Sequence, residues 1–204
     1  MAPGEADALL FDLGGVVMRI DFNRAIARWA ALAACDAALL RQRFSQDLPY
    51  QRHERGEIGA EDYFAALRLS LGVDLDDHRL SEGWNAIFIE EMPGIAGLLA
   101  GAAQRLPLYA FSNTNPVHEA YWRQQYAGLL GHFDRIFTSS AIGLRKPDAA
   151  AYEFVVKAIG VPAGRVLFFD DSLENIEGAR SCGLQAVHVT SDGDVAKTLA
   201  AMGL

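Results

Sequence analysis

The sequence predicts an α/β fold: a Rossmann-like parallel sheet with helices on both faces and an inserted helical cap. Three observations predict it. Short apolar runs, most of them continuous, are typical of strands buried on both faces. Helix-like segments of about 10 residues separate the later runs, as in right-handed βαβ units. A long stretch of helical periodicity follows the first run, and no strand candidate interrupts it.

Five apolar runs are predicted strands, at residues 8–11, 106–111, 135–138, 166–169 and 185–189. Predicted helices between the later strands occupy residues 117–130, 149–159 and 173–181. In an open parallel sheet, ligands bind beyond the carboxyl ends of the strands. The residues that follow each strand are therefore the informative ones for function.

The insertion after the first strand has the apolar spacing of helices. Apolar residues recur three or four positions apart in the groups Phe22, Ile26, Trp29 and Ala33; Phe64, Leu67 and Leu71; and Leu80, Trp84, Ile87 and Phe88. Pro93 and Gly94 punctuate the chain before a new helix at Ile95. We expect a core formed by residues 1–17 and 92–204 and a helical cap domain formed by residues 18–91.

Composition narrows the classes of partner. The chain has 204 residues, of which 51% are hydrophobic and 22% charged, with a formal net charge of −8. This is the composition of a globular protein, and its length suggests one domain with a sizeable insertion. The acidic balance argues against a nucleic-acid partner. Without a basic-then-apolar leader or a long uncharged apolar run, we expect a soluble cytoplasmic monomer or homodimer with no membrane contact.

Polar and charged residues collect where the predicted strands end. The positions are Asp12 and Gly14 after the first strand, Ser112 and Asn113 after the second, Lys146 after the third, and Asp170 and Asp171 after the fourth. Carboxylates in one cleft repel one another unless a cation joins them, and hard oxygen ligands favour Mg²⁺. A lysine supplies a positive charge to a phosphate, and hydroxyl and amide groups donate hydrogen bonds to its oxygens. The pattern predicts Mg²⁺-assisted chemistry on a small phosphorylated substrate.

The segments FDLGG, FSNTN, LRKPD and FFDDSLENIEGA, in this order, resemble the motifs of the haloacid dehalogenase (HAD) superfamily. The resemblance covers nearly the whole chain, and the insertion is similar to the helical cap of that superfamily's first cap class. More narrowly, FDLGGVVMRIDFNR and HERGEI resemble the bacterial α-D-glucose-1-phosphate phosphatase branch.

The resemblance implies roles for the metal-binding positions. Asp12 would be the nucleophile that becomes phosphorylated, and its carboxylate would also ligate Mg²⁺. The backbone carbonyl of Gly14 would be a second ligand, and Asp171 a direct one. Asp170 would act through water or as an anchor behind the metal, while Asn175 would have an orienting role.

The resemblance also implies that Ser112 and Asn113 hold the phosphoryl group and that Lys146 bridges it to Asp12. One position departs from the pattern. Most phosphatases of the superfamily have a second aspartate two residues after the nucleophile, as general acid and base, whereas this chain has Gly14. Such catalysis is worth about 10²- to 10⁴-fold. A substitute from the cap, His53 or Glu54, is one hypothesis.

The sequence therefore favours a phosphoric monoester hydrolase. The leading interpretation is a Mg²⁺-dependent phosphatase acting on a small sugar phosphate, such as α-D-glucose 1-phosphate, through an aspartyl-phosphate on Asp12. A 2-haloacid dehalogenase-like hydrolase, in which the same aspartate attacks carbon without a metal, is an alternative that the Asp170-Asp171 pair disfavours. A phosphoglucomutase is a further alternative, but such mutases resemble the two-aspartate pattern that Gly14 breaks. A catalytically weak phosphate-binding protein is another, and Gly14 is its only support.

Overall fold

The computed structural model describes residues 5–204; the first four residues, with which the expected core segment 1–17 begins, lie outside this range. At its centre is a parallel sheet of five strands in the order β5-β4-β1-β6-β7. These strands are β1 (Ala8–Phe11), β4 (Leu108–Ser112), β5 (Arg135–Thr138), β6 (Val166–Asp170) and β7 (Gln185–His188). A separate antiparallel pair consists of β2 (Met18–Ile20) and β3 (Phe88–Glu91).

Helices connect the strands and cover the sheet. Between β2 and β3 lie α1 (Phe22–Ala33), α2 (Ala37–Arg43), α3 (Leu48–Glu54), α4 (Ala60–Leu71) and α5 (Asp77–Asn85). The others are α6 (Ile95–Ala102), α7 (Pro116–Gln125), α8 (Ala127–Leu130), α9 (Ser139–Ile142), α10 (Ala149–Ile159), α11 (Leu173–Ser181) and α12 (Asp194–Ala201). The predicted α/β fold with a parallel sheet is confirmed.

The two faces of the sheet pack into two separate cores. On β1, Leu9 and Phe11 join one buried cluster, and Ala8 and Leu10 join the other. Successive strand residues point to opposite faces, so a strand covered on both sides needs an apolar residue at every position. This double burial is the reason that the central strands read as unbroken apolar runs.

Several boundaries differ from those predicted, most of them by one or two residues. β4 begins at Leu108 rather than at residue 106, since Pro107 has no backbone N–H, although its carbonyl accepts a hydrogen bond from Leu9. At its other end β4 extends to Ser112, which is in register with Thr138. The predicted helix 117–130 is divided at Tyr126, where the backbone φ of −116° leaves the helical range, giving α7 and α8.

The prediction that no strand interrupts the insertion is wrong at its two ends. β2 and β3 pair antiparallel, with Met18 opposite Glu91, and Phe88 lies in β3 rather than in a helix. The four-residue β3 buries only Phe88, so it lacks the apolar alternation by which a half-buried strand is recognised. The pair brings the outgoing and returning chain together beside Gly14, which forms an isolated β-bridge with Met18.

Helices α1 to α5, hereafter the helical segment, pack mainly through aromatic side chains. The Trp29 and Trp84 rings stack with centroids 5.6 Å apart, and the Trp29 indole N–H donates to the Leu80 carbonyl. Trp29 and Trp84 belong to the same buried cluster as Leu9 and Phe11 of β1. The helical segment is therefore continuous with the apolar core on one face of the sheet. Within residues 5–204, no helix is both long and apolar enough to cross a membrane.

Candidate active site

Strand order brings the predicted polar residues to one edge of the sheet. β4, β1 and β6 are adjacent and parallel, so the residues at their carboxyl ends are neighbours. Asp12, Ser112 and Asp171 all line a cavity of about 480 Å³ at this edge. A cavity of this volume accommodates a small organic ligand.

Lys146 is the buried cation of the site. Its ammonium group lies 2.9 Å from Asp12 Oδ1 and 2.6 Å from Asp170 Oδ2, and it also donates to the Phe111 carbonyl at 2.9 Å. The side chain is 1% exposed. An ammonium group has three N–H donors, so these three acceptors use all of them. Lys146 therefore fixes Asp12 and Asp170 beside each other.

Three carboxylates lie close together in this site, and Lys146 contacts two of them, Asp12 and Asp170. One oxygen from each of Asp12, Asp170 and Asp171 lies within 4.8 Å of the other two. Burial raises the pKa of Asp12 to about 7, with further increases from the two neighbouring aspartates and an opposing decrease from Lys146. Burial also raises the pKa of Asp171, and the negative charge of Asp170 adds to the effect. The carboxylates outnumber the ammonium, so the cluster favours a further cation.

Burial and the neighbouring charges also have opposing effects on the pKa of Lys146. Burial alone lowers it, but the attraction of Asp12 and Asp170 outweighs burial, and the net pKa is raised. Lys146 therefore stays charged.

Asp170 is held by the protein on every side. Its carboxylate accepts hydrogen bonds from the Ser172 backbone N–H at 2.8 Å, from the Asn175 amide at 3.0 and 3.1 Å, and from Lys146. The hydroxyl of Tyr152 donates to the Asn175 carbonyl at 2.7 Å and so ties α11 to α10. A carboxylate with its lone pairs occupied in this way acts as an anchor for its neighbours.

Asp171 is open to the cavity and packs tightly against Gly15. Gly15 has φ of +76°, a conformation that favours glycine, and a Cβ at this position would collide with the Asp171 carboxylate. The Asp171 backbone carbonyl lies 2.9 Å from His188 Nε2. The glycine after Gly14 thus permits the loop that follows β1 to approach the loop that follows β6.

The Asn113 side chain fixes the loop that carries Lys146. Its Oδ1 accepts from the Lys146 backbone N–H and its Nδ2 donates to the Lys146 carbonyl, both at 2.8 Å. Asn113 and Ser112 both line the cavity. The Asn113 side-chain amide is therefore engaged within the protein.

This arrangement of residues agrees with a comparison against protein families. Residues 6–183 match the model of the haloacid dehalogenase-like hydrolases. The chain belongs to this family. The predicted superfamily is confirmed.

Individual relatives of the hydrolase include phosphatases. It is 24% identical over 191 residues to a D-ribitol-5-phosphate phosphatase from Bacteroides thetaiotaomicron, covering 91% of this chain and 93% of the relative. It is 26% identical to a sesquiterpene phosphatase from Aspergillus oryzae, covering 90% of this chain and 89% of the relative. The prediction of an enzyme of the phosphoric monoester hydrolase type is confirmed at the level of the family and of these relatives.

Among solved structures, a HAD family enzyme from Bacteroides thetaiotaomicron in complex with magnesium and inorganic phosphate has a TM-score of 0.79 to the hydrolase. The sequence identity is 22%, and the match covers 91% of this chain and 94% of that one. At this level of identity, the likeness establishes the fold.

The helical segment contributes a second group of polar residues to the cavity of the hydrolase. Glu54, at the end of α3, is 3% exposed, and its Oε2 accepts from Arg145 Nε and from another guanidinium nitrogen at 3.0 and 2.9 Å. Tyr50, one helical turn earlier on α3, interacts with Glu54 and acts to lower the pKa of its carboxyl. All three side chains line the cavity together with Asp12.

The structure separates the two residues that the sequence offered as substitutes for an acid at position 14. Glu54 lines the cavity, whereas His53 is buried behind it, with its Nδ1 3.2 Å from the Ile58 carbonyl. Sequence reasoning missed Tyr50 and Arg145. Tyr50 lies four residues before Glu54 and therefore on the same helical face, so recognising α3 as a helix could have identified it. Arg145 directly precedes Lys146 in the sequence, and this position could have identified it.

Proposed function

We propose that this protein is a Mg²⁺-dependent phosphatase that hydrolyses a small sugar phosphate through an aspartyl-phosphate on Asp12. The observation that carries this proposal is the cluster of three carboxylates around one buried lysine, inside a cavity of about 480 Å³. A dianionic phosphate would be repelled by such a cluster unless a divalent cation reversed the local field. Phosphatases among the relatives support the same reaction class.

The donor set fits Mg²⁺. Asp12 and Asp171 offer carboxylate oxygens beside the Gly14 backbone, and Asp170 is saturated by protein donors behind them. We assign Asp12, Asp171 and the Gly14 carbonyl as the metal ligands, with Asp170 as the anchor. Hard oxygen donors of this kind are those that Mg²⁺ prefers. Bound there, the ion would neutralise phosphoryl oxygens and polarise the phosphorus centre.

The residues of the site then have distinct roles in the reaction. A carboxylate oxygen of Asp12 attacks phosphorus, forming an O–P bond as the bond to the sugar oxygen breaks. Lys146 holds Asp12 in one orientation and keeps positive charge beside the reacting phosphate. The Ser112 hydroxyl and the Asn113 backbone N–H donate hydrogen bonds to phosphoryl oxygens. Such transfer depends mainly on positioning and on charge stabilisation.

We infer that residues 18–91 act as a cap domain that selects the substrate. The helical segment leaves and rejoins the core through the β2–β3 pair beside Gly14, and it places Tyr50 and Glu54 in the cavity. Polar groups at this wall suit the hydroxyls of a sugar. α-D-Glucose 1-phosphate, from the motif resemblance, and D-ribitol 5-phosphate, from the name of one relative, are the first candidates.

The test is phosphate release from a panel of sugar phosphates that includes both of these and both anomers of glucose 1-phosphate. Each is assayed with Mg²⁺, with EDTA, and with the Asp12→Asn variant. We expect release that requires Mg²⁺ and falls by at least about 10³-fold in Asp12→Asn, since an amide is not a nucleophile for phosphorus.

Other outcomes identify the alternatives. Halide release from a 2-haloacid in the presence of EDTA would replace the phosphatase by a dehalogenase. Binding of a sugar phosphate without turnover would indicate a phosphate-binding protein on this fold. Interconversion of glucose phosphates without net phosphate release would indicate a mutase.

A further inference from the structure

Hydrolysis of a sugar phosphate needs a group that carries a proton. The sugar oxygen leaves as an alkoxide unless it is protonated, and in the second step water must lose a proton as it attacks the phosphorylated aspartate. Gly14, beside the nucleophile, has no side chain to do this. Another residue of the cavity must therefore carry the proton, and this inference rests on the phosphatase proposed above.

Among residues 5–204, eight ionisable side chains line the cavity: Asp12, Tyr50, Glu54, His118, Arg145, Lys146, Asp171 and Glu174. Three are committed to other work. Asp12 is the nucleophile, Asp171 is assigned to the metal, and Lys146 has given all three of its N–H groups to protein acceptors.

Three more are unsuited to proton exchange near neutral pH. Burial lowers the pKa of His118 to about 3, and its Nε2 is directed at the Trp84 carbonyl, 3.2 Å away. Burial raises the pKa of Tyr50 well above its usual value. The Arg145 guanidinium is engaged by the Glu54 carboxylate. Two carboxyl groups are left, and of these Glu174 is exposed in the first turn of α11, where water competes for it.

Glu54 has the surroundings of a proton carrier. Burial raises the pKa of its carboxyl, and the opposing effects of Arg145, Tyr50 and Lys146 do not cancel the increase. A carboxyl group with a raised pKa exchanges protons closer to neutral pH. Arg145, which holds Glu54, directly precedes Lys146, which holds Asp12, and all four side chains line the same cavity.

The fold also fixes the orientation of Glu54. Its Oε2 is held by two nitrogens of the Arg145 guanidinium, at 3.0 and 2.9 Å. Two residues further on, Gly56 has φ of +67°, and a Cβ there would collide with the Ser140 carbonyl. The end of α3 is thus seated directly on α9 of the core, and Glu54 faces the cavity from a rigid support.

We propose that Glu54 is the proton-carrying group of this hydrolase. In the first step the Glu54 carboxyl gives its proton to the sugar oxygen as the phosphorus–oxygen bond breaks and the Asp12–phosphorus bond forms. In the second step the Glu54 carboxylate takes a proton from water as the water oxygen bonds to phosphorus and Asp12 is released. The products are the free sugar and phosphate, and both carboxyl groups return to their starting states.

The test compares two substrates in the Glu54→Gln variant. The amide keeps the shape of the side chain but cannot carry a proton. We expect kcat/KM for the preferred sugar phosphate to fall about 10²- to 10⁴-fold. With p-nitrophenyl phosphate, whose leaving group departs without a proton, we expect a rapid burst of nitrophenol followed by slow steady-state release, because only the second step has lost its base.

Glu57→Gln is the matched control. Glu57 belongs to the same HERGEI segment, but it is exposed and pairs with Arg52 and Arg55 away from the cavity. We expect its activity to equal that of the wild type. Thermal unfolding of both variants verifies their folded state.

Several results would overturn the proposal. Equal losses on both substrates without a burst, or a raised KM with unchanged kcat, would make Glu54 a positioning or specificity residue. If Glu54→Gln does not fold, a leaving-group series on the wild-type protein decides: a shallow dependence of kcat/KM on leaving-group pKa is expected, and a steep one contradicts the proposal. Wild-type protein that releases no phosphate overturns the proposed phosphatase itself, whereas turnover that Glu54→Gln leaves intact overturns only the role of Glu54.

Discussion

At the scale of single residues, the site is organised by charges withdrawn from water. Lys146 is one of these buried charges. Its position after a predicted strand could be predicted from the sequence, but the three acceptors of its ammonium group could not. A sequence gives no sign that the Phe111 carbonyl would be one of them. The reciprocal hydrogen bonds between Asn113 and the Lys146 backbone were equally invisible, because a polar residue after a strand is compatible with ligand binding and with loop support.

The first prediction concerns Lys146. We expect Lys146→Met to lower the free energy of unfolding by about 3–5 kcal/mol, since it leaves Asp12 and Asp170 buried without their counter-charge. Urea denaturation at neutral pH measures the change. The control is Lys197→Met, at an exposed lysine on α12, which should alter stability by less than about 0.5 kcal/mol. Unchanged stability of Lys146→Met would contradict the charged cluster described here.

The second prediction concerns His118, which is buried as a neutral ring. The Asn115 side-chain N–H is directed at Nδ1, and Nε2 is directed at the Trp84 carbonyl, so a proton on Nδ1 would meet another donor. Burial lowers the pKa of folded His118 to about 3. The unfolded chain, with the usual histidine pKa of about 6.5, then binds more protons below that pH, and stability is lost as the pH falls.

The measurable consequence is the slope of the free energy of unfolding against pH. Between about pH 6.5 and 3, His118 should contribute up to about 1.4 kcal/mol of lost stability per pH unit. Chemical denaturation at several pH values should show a shallower slope for His118→Gln than for the wild type. His78→Gln, at an exposed histidine of α5, should retain the wild-type slope. Parallel slopes for His118→Gln and wild type would refute the assignment of a neutral buried ring.

At the scale of elements, helix ends and strand ends place the functional groups. The helices α1 and α4 follow from apolar periodicity, and α6 from the Pro93-Gly94 pair that precedes it. The structure adds a cap at α1, where the Asp21 side chain accepts from the Asn23 backbone N–H. β2 and β3 could not be predicted, because each is too short and too one-sided to show a periodicity of two. Their pairing is a long-range event between residues about 70 positions apart, which local patterns do not encode.

The third prediction concerns the seating of α3 on α9 through Gly56. Gly56→Ala forces alanine into a left-handed backbone conformation and adds a Cβ that collides with the Ser140 carbonyl. We expect a loss of about 2 kcal/mol in the free energy of unfolding, part of it from the backbone conformation alone, together with reduced phosphatase turnover because Glu54 shifts. Denaturation and kcat measurements test both effects.

Gly97→Ala serves as the control for that substitution. Gly97 is exposed within α6, and a Cβ there meets open space. Alanine in a helix should stabilise the protein by about 0.5–1 kcal/mol with unchanged turnover. If Gly56→Ala behaved like Gly97→Ala, the close contact between α3 and α9 would not be needed for the site.

At the scale of the whole molecule, the topology explains why residues far apart in sequence form one site. The order β5-β4-β1-β6-β7 places the ends of β4 and β6 on either side of β1. The sequence predicted the α/β fold and the core of the site, since both follow from strands that alternate with helices and end in polar residues. It could not place Tyr50 or Arg145, because the position of the helical segment over the sheet depends on packing such as the Trp29–Trp84 stack.

The most direct test of the proposed mechanism is to look for the phosphoryl group on Asp12. The wild-type protein is mixed with its preferred sugar phosphate and Mg²⁺, quenched in acid within milliseconds, and digested for mass spectrometry. We predict a phosphorylated peptide that contains Asp12 and that is absent from Asp12→Asn. In Glu54→Gln the same peptide should accumulate when p-nitrophenyl phosphate is the donor, because only the second step of that reaction has lost its proton carrier. Turnover of the sugar phosphate without any modification of Asp12 would contradict a mechanism through an aspartyl-phosphate.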